Sequence, residues 1–222
     1  MPKLDVGPLR RKQLINATLE VIAEYGFQGT TIGRISKASG LSVGIVSHYF
    51  EGKQGLLVAT MRHLLSELGE DLKRSLASYP DTPEGRLMAI VDANFSSVQT
   101  ETKAAKTWLV FWSQAAHTPE LARLQRVNER RLYSNLVHHL RPLLPAPWAR
   151  GTAQTIASLI DGFWLRAALS EGRIETDQAV FLCKSYIQQV IADGQAALNN
   201  PARDLPGNAY GASNADKARK AS

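Results

Sequence analysis

Apolar residues recur every three to four positions along most of the chain, which is the spacing of amphipathic helices. No alternating run bounded by hairpin turns predicts a strand. Gly26 ends the first helical pattern, and Gly52 precedes a long one. The later patterns are longer: one begins at residues 81–84, and the others cover about 106–116, 120–140, 148–169 and 176–198. We therefore predict an all-α protein with three short N-terminal helices and a larger helical body.

The shortest predicted helix, between Ser42 and Tyr49, has few apolar residues to bury. Thr31 can cap the helix before it, Gly40 can supply a left-handed turn, and Ser42 can cap the short helix itself. A helix, a tight turn and a second helix form the smallest unit that places a helix in the major groove of DNA. The apolar side chains that we expect to pack inside this unit are Leu41, Ile45 and Val46 against Ile22, Ile32 and Ile35.

The residues expected to face outward from this short helix are small or polar, as a helix lying deep in a groove requires. Gly44 and Ser47 let the backbone approach the bases. Ser47 and His48 can hydrogen-bond base edges, and a Val43 methyl group can touch a thymine methyl. Side chains just past the helix and exposed amides at helix N-termini suit phosphate oxygens. The predicted DNA contacts are Arg10, Arg11, Thr31, Ser42, Val43, Gly44, Ser47, His48, Tyr49 and Lys53.

The charge of the chain is in keeping with a polyanionic partner. Its formal net charge is +6. The first 53 residues carry seven Lys and Arg against four Asp and Glu, which is half of that excess in about a quarter of the length. A three-helix domain with a solvated basic face would show the same balance, so charge alone leaves both interpretations open.

The segment TTIGRISKASGLSVGIVSHYFEGKQGLL resembles the N-terminal signature of TetR-family transcriptional repressors. The residues at matching positions are Thr31, Ala38, Gly40, Ser42, Gly44, Tyr49, Phe50 and Lys53. Ser47 departs from the pattern, because many members carry an aromatic residue there, and this leaves open which operator bases are read. The resemblance implies that Phe50 packs inward, that the body binds an effector, and that the protein acts as a dimer.

The body carries an unusual concentration of tryptophan beside an acidic residue. KTWLVFWSQAAH places Trp108 and Trp112 one helical turn apart, and SLIDGFWLRAAL places Asp161 and Trp164 on one helix face. Indole faces attract a quaternary ammonium ion, and a carboxylate neutralises it. The alternative is a buried ion pair between Asp161 and a nearby arginine. From this chemistry the predicted ligand residues are Phe95, Trp108, Trp112, Asp161, Phe163 and Trp164.

Three segments of the body, KTWLVFW, LARLQRVNERRLYSNLVHHLR and SLIDGFWLRAALSEG, resemble a particular branch of the TetR family. Members of that branch respond to choline and repress glycine-betaine synthesis genes. The resemblance implies choline as effector and a double-stranded, pseudo-palindromic operator as partner. It does not supply the ligand residues, which rest on residue chemistry. A repressor that senses another cationic or lipophilic small molecule is the alternative.

Two other classes of function are less well supported. An enzyme needs a nucleophile, an acid–base pair or a metal site, yet His138 and His139 point apart on a helix, and no Gly-rich phosphate loop, serine elbow or cysteine cluster occurs. We therefore expect no catalytic or metal site and no cofactor. An architectural DNA-coating protein would lack a ligand pocket and a two-fold operator.

The chain divides into a helix-turn-helix domain (1–52), an effector-binding and dimerisation domain (53–198) and a tail (199–222) whose polar, Pro- and Gly-rich composition predicts disorder. With one cysteine, no run of about 18 apolar residues and no signal-peptide core, we expect a cytoplasmic protein without a membrane partner. The last two long helices are expected to form a four-helix dimer interface. The candidate interface residues are Leu159, Phe163, Ala167, Val180, Ile187 and Ile191, some of which must face the monomer core instead; the sequence does not divide the two sets.

Overall fold

The structure is a computed structural model that describes residues 6–169 and 175–199, except for the side chains of residues 98, 100, 102, 167, 168, 198 and 199. Ten helices and no strand form in these ranges, which confirms the predicted all-α class. The helices are α1 (Gly7–Gly29), α2 (Ile32–Ser39), α3 (Val43–Tyr49), α4 (Gly52–Leu76), α5 (Pro83–Asn94), α6 (Ser97–Thr100), α7 (Thr102–Ala115), α8 (Pro119–Leu140), α9 (Ala146–Leu169) and α10 (Thr176–Asn199). Apart from Asn199, the predicted disordered tail lies outside the described residues.

The helix starts follow from local capping chemistry. Thr31, Ser42 and Thr82 each stand in extended backbone at an N-cap, and each side chain accepts a hydrogen bond from the amide three residues later. Gly26 interrupts the first helix, as predicted, because its φ of 64° and ψ of −179° are not helical. One further turn follows this kink, so that α1 as a whole ends at Gly29.

Two hydrophobic cores share α1 and α4. The smaller core joins the first three helices through buried residues such as Leu14, Ile35 and Val46. The larger core fills the body. The prediction that Ile22 packs inside the N-terminal unit is wrong, because Ile22 belongs to the larger core. Consecutive residues of α4 enter different cores, which makes this helix a rigid connection between the N-terminal unit and the body.

The last two helices separate core residues from exposed apolar ones. Ile187 and Ile191 are buried in the body core, so these two candidates belong to the set that faces the monomer core and not the dimer partner. Leu159, Phe163 and Val180 are half-buried against that core, and the side chain of Ala167 lies outside the described residues. The large apolar side chains exposed on α9 and α10 are Leu165, Leu169, Phe181 and Leu182. None of the helices in the described ranges combines the length and hydrophobicity that a membrane span requires.

Candidate nucleic-acid interface and ligand groove

The turn between α2 and α3 is held by a set of short hydrogen bonds. Gly40 occupies the left-handed region at φ 69°, as predicted. The Ser36 hydroxyl donates to the Leu41 carbonyl at 2.6 Å, and the Gln13 amide donates to the Ser39 carbonyl at 2.6 Å. Because Gln13 lies on α1, this second bond fixes the turn against the first helix. The orientation of α3 is therefore set by all three N-terminal helices.

The outward face of α3 is open, as the sequence predicts. Val43 is 51% exposed, and Gly44, Ser47 and His48 are also exposed, whereas Val46 is fully buried. A Cβ added at Gly44 would find its nearest neighbour, the Ser42 hydroxyl, 3.9 Å away. The protein itself therefore leaves room for a side chain at this position. Close approach of a DNA surface to α3 would give a physical reason for glycine there.

The charged and aromatic residues beside α3 also contact one another. The Arg11 guanidinium lies 5.6 Å from the Tyr49 ring centroid and 5.5 Å from that of Phe50. Phe50 is buried, as the family resemblance implies, and Tyr49 is half-buried. Arg10 is half-buried near the start of α1, while Thr31 and Ser42 are exposed caps. Arg11 thus lies beside the C-terminal end of α3, and the ten DNA contacts stay predictions.

Lys53 has a structural role that the sequence did not indicate. Its ammonium group donates to the Phe27 carbonyl and lies 3.8 Å from the centroid of the Phe27 ring. Partial burial lowers the pKa of Lys53. Two of its three N–H donors remain for a phosphate, so the predicted DNA contact stays a prediction.

The five aromatic residues among the six predicted ligand residues fall into two groups. Phe95 stacks on Trp164 with ring centroids 6.5 Å apart and meets Phe163 edge-on at 6.3 Å. Phe95 and Trp164 are buried, so their faces are largely covered by the core. Trp108 is also buried, and its ring centroid lies 6.2 Å from that of Trp112. A continuous six-residue cage is therefore not formed.

Two of the predicted residues, Trp112 and Asp161, line a groove of about 570 Å³ between α7, α8 and α9. Glu129 joins them, which gives the groove an indole and two carboxylates; Arg126 also lines it. Asp161 as a whole residue is exposed, but the surrounding protein removes part of the water around its carboxyl group. This desolvation raises the pKa of Asp161 to about 6, and the charge of Glu129 contributes further. A groove of similar volume at α1 and α7 is lined by Glu20, Ala23, Glu24, Glu101 and Lys103, without a ring.

Asp71, a buried acid of α4 that is not among the predicted site residues, connects α4 to the segment before α7. The Asp71 side chain is 2% exposed and accepts hydrogen bonds from Ser96 Oγ at 2.7 Å and Gln99 Nε2 at 3.3 Å, besides pairing with Arg74. Gln99 Oε1 in turn accepts from Trp108 Nε1 at 3.2 Å. Asp71 follows buried Leu64 by seven residues and so shares its helix face, which is the signal that could have identified it.

Two polar contacts join the start of α8 to the N-terminal half of α4. Arg62 pairs with Glu120 at 2.8 Å, and Gln54 Nε2 donates to Thr118 Oγ1 at 3.1 Å. α8 carries Gln125 and Glu129 into the groove. A displacement of α8 therefore acts directly on the N-terminal half of α4.

Comparison with known proteins supplies the family. Residues 14–60 match the family model for bacterial regulatory proteins of the tetR family, and residues 83–192 match that for the C-terminal region of BetI-type transcriptional repressors. The HTH-type transcriptional regulator BetI 1 of Chromohalobacter salexigens is 48% identical over 192 residues, which cover 86% of this chain and 95% of the relative. BetI of Pseudomonas aeruginosa PAO1 is 48% identical over 86% of this chain and 98% of its own length. The chain belongs to the TetR family and is of the BetI type.

Solved structures share the fold of this BetI-type regulator. A transcriptional regulator from Pseudomonas aeruginosa PAO1 superposes with a TM-score of 0.72 at 26% identity, covering 86% of this chain and 93% of the other. A regulator from Saccharomonospora viridis, solved in complex with choline, superposes with a TM-score of 0.70 over 82% of this chain and 96% of the other. At 17% identity, this second likeness shows the fold alone.

Family membership also bears on the nature of the site. A BetI-type repressor belongs to a class of transcriptional regulators that are generally not enzymes. The residues that the structure describes contain no group of three His, Cys, Asp or Glu side chains arranged to hold a metal ion. Asp92, another acid within an apolar helix, is paired with Lys184 at 2.5 Å and with the Tyr79 hydroxyl. Asp161 and Glu129 therefore remain the acids of interest for a cation.

Proposed function

We propose that this BetI-type repressor binds a pseudo-palindromic operator as a homodimer and that choline, held in the groove between α7, α8 and α9, changes its affinity for that operator. The genes that it would repress encode the synthesis of glycine betaine from choline in the cytoplasm. The observation that carries the proposal is the Trp112 ring beside the carboxylates of Glu129 and Asp161.

The chemistry of a quaternary ammonium ion explains why this groove suits it. Such an ion has no N–H to donate, so a site can hold it only through opposite charge and contact with its methyl groups. An indole face supplies both contact area and electrostatic attraction, and nearby carboxylates supply the charge. Trp112 is half-buried and therefore presents a ring that is both fixed and accessible. The choline complex of the Saccharomonospora viridis regulator adds support, because it places the same ligand with the same fold.

The dimer is supported by the exposed apolar side chains of α9 and α10. Leu165, Leu169, Phe181 and Leu182 are between 42% and 70% exposed, a pattern that marks a protein–protein surface when the side chains are contiguous. In a two-fold dimer, the two copies of α3 would enter successive major grooves about 34–36 Å apart. Each N-terminal unit would then read one half of the operator.

The coupling between groove and operator follows from the contacts of α4. A ligand against Trp112 acts on α7, and α7 is tied to α4 through Trp108, Gln99 and Asp71. A ligand against Glu129 acts on α8, which the pair of Arg62 and Glu120 ties to the middle of α4. Choline changes DNA affinity only if it binds the two conformations unequally. Small shifts of α4 would then alter the spacing of the two α3 helices.

Calorimetric titration of choline into the protein tests this proposal. Trp112→Ala and Asp161→Asn are each expected to weaken choline binding about 2- to 30-fold, the range for a cation–π contact or a partly screened charge. Trp148→Ala and Asp193→Asn are matched controls, since they remove a half-buried tryptophan and an exposed aspartate that do not line the groove.

Two results would decide against the proposal. Unchanged choline affinity in both groove variants would contradict the groove as the site. If wild-type protein ignores choline but binds a different quaternary ammonium ion with the same dependence on Trp112 and Asp161, the alternative repressor of another cationic ligand is correct.

A further inference from the structure

We propose that Gln125 recognises the hydroxyl group of the effector, so that the groove selects a cationic alcohol over its oxidised, carboxylate-bearing product. This inference rests on the proposed function, because it concerns the same groove. It adds a specificity residue that charge and aromatic contacts alone do not provide.

The orientation of the Gln125 amide is fixed by its neighbour. Gln125 Nε2 donates to Glu129 Oε1 at 2.9 Å, one helical turn along α8. An ionised carboxylate only accepts hydrogen bonds, so the NH₂ group must face Glu129 and the carbonyl oxygen must face away from it. The assignment of the two amide atoms therefore follows from chemistry and not from a choice between equivalent positions.

Within the described part of the chain, no group donates a hydrogen bond to the carbonyl oxygen of Gln125. Gln125 Oε1 is buried and accepts no hydrogen bond from any residue that the structure describes. Gln125 itself lines the groove with Trp112, Glu129 and Asp161. A buried acceptor left without a donor is unfavourable, and a ligand that brings one removes that cost. The groove thus combines charge for a cation with an unsatisfied acceptor just beneath its surface, which the Gln125 side chain must turn to expose.

A choline-type ligand matches this combination atom for atom. Its quaternary nitrogen has no hydrogen to give, so its hydroxyl is its one donor. With the ammonium group beside Trp112 and the two acids, the hydroxyl can donate to Gln125 Oε1 once the Gln125 side chain turns toward the groove. Oxidation of the alcohol to a carboxylate removes that donor and sets a second acceptor against Oε1 and the two acids. Arg126, which is exposed at the groove, is the group that could offset this repulsion.

The selectivity has a consequence for regulation. A repressor that reads the hydroxyl responds to the substrate of the oxidation that its genes encode and ignores the end product. The signal then falls as the alcohol is consumed, even while the product accumulates. Sites that hydrogen-bond a hydroxyl discriminate strongly against analogues lacking it, since their polar groups are otherwise left unpaired.

The test compares choline with propyltrimethylammonium, in which a methyl group replaces the hydroxyl, and with glycine betaine, by calorimetry on the full chain. Wild-type protein is expected to prefer choline over propyltrimethylammonium about 3- to 10-fold, the range for one neutral hydrogen bond. Glycine betaine is expected to bind more weakly than either. In Gln125→Leu, the preference for choline should fall to about 1, while propyltrimethylammonium keeps its wild-type affinity within about 2-fold.

The control is Gln189→Leu, which removes a glutamine that donates to an acid four residues later, Asp193, at 3.0 Å but on α10. It should leave the preference unchanged. If Gln125→Leu does not fold, Gln125→Met is the replacement, and the comparison of ligands on wild-type protein stands by itself. A preference that survives loss of the amide, equal affinities in wild type, or glycine betaine binding as tightly as choline would each overturn the inference. Absence of binding by all three ligands would overturn the proposed function as well.

Discussion

Gly44→Ala separates the stability of the N-terminal unit from its ability to dock on DNA. The added methyl group would lie 3.9 Å from its nearest neighbour, so it fits the folded protein. Alanine in a helix is favoured over glycine by about 0.5–1 kcal/mol, and the value near a helix start lies at the lower end. For a domain of this size, that gain raises Tm by about 1–2 °C. The variant should therefore be slightly more stable than wild type.

DNA binding should change in the opposite direction. If α3 lies against base edges at Gly44, the methyl group holds the helix away and weakens base contacts worth about 1–3 kcal/mol per half-site, or at least about 5-fold in Kd. Fluorescence anisotropy with an operator selected from random duplexes measures this loss. Gly69→Ala on α4 is the matched control, since its Cβ also meets no atom within 4 Å and its position is remote from α3. A Gly44→Ala protein with unchanged operator affinity would refute the docking of α3 at this residue.

Three further variants test single features of the protein. Lys53→Met should lower Tm by about 1–4 °C because the cation–π interaction with Phe27 is removed. It should also reduce the slope of log K for DNA binding against log salt concentration by about 0.9 for each phosphate that Lys53 neutralises. An unchanged slope would restrict Lys53 to a structural role. Asp161→Asn should raise Tm at pH 7.5 but not near pH 4. The fold raises the pKa of Asp161 from 3.8 to about 6, so the protonated carboxyl favours the folded protein, and this stability is lost as the pH rises through 6. Equal gains in Tm at both pH values would contradict this explanation. Asp71→Ala should lower the free energy of unfolding in urea by about 1–3 kcal/mol, because the buried Gln99 amide loses its acceptor, and an unchanged midpoint would show that the network is not stabilising.

The parts of the structure that depend on neighbouring residues in sequence were predictable. The caps at Thr31 and Ser42 and the left-handed turn at Gly40 were predicted from residue type alone, because each bond closes within a few residues. α6 was missed for a related reason. It has only four residues, too few to show a helical period, although Ser96 caps it.

The features that depend on the direction of a helix face were less predictable. Ile22 and Leu14 share α1 yet enter different cores, and nothing within α1 tells which side meets α4. Phe95 and Trp164 stack on each other in the core, so these aromatic rings, which could also bind a cation, pack the protein interior. Glu129 joins Asp161 only because α8 and α9 are adjacent, a long-range fact that single-sequence spacing does not contain.

The central claim, that choline in the groove and the operator at α3 are coupled, is tested most directly by measuring choline affinity with and without DNA. Coupling between two binding sites is reciprocal, so the Kd of choline must differ between the free and the operator-bound protein. We predict a difference of at least about 5-fold, the lower end of typical allosteric coupling, in the wild-type chain. Equal choline affinity in the free protein and in the operator complex would contradict the account.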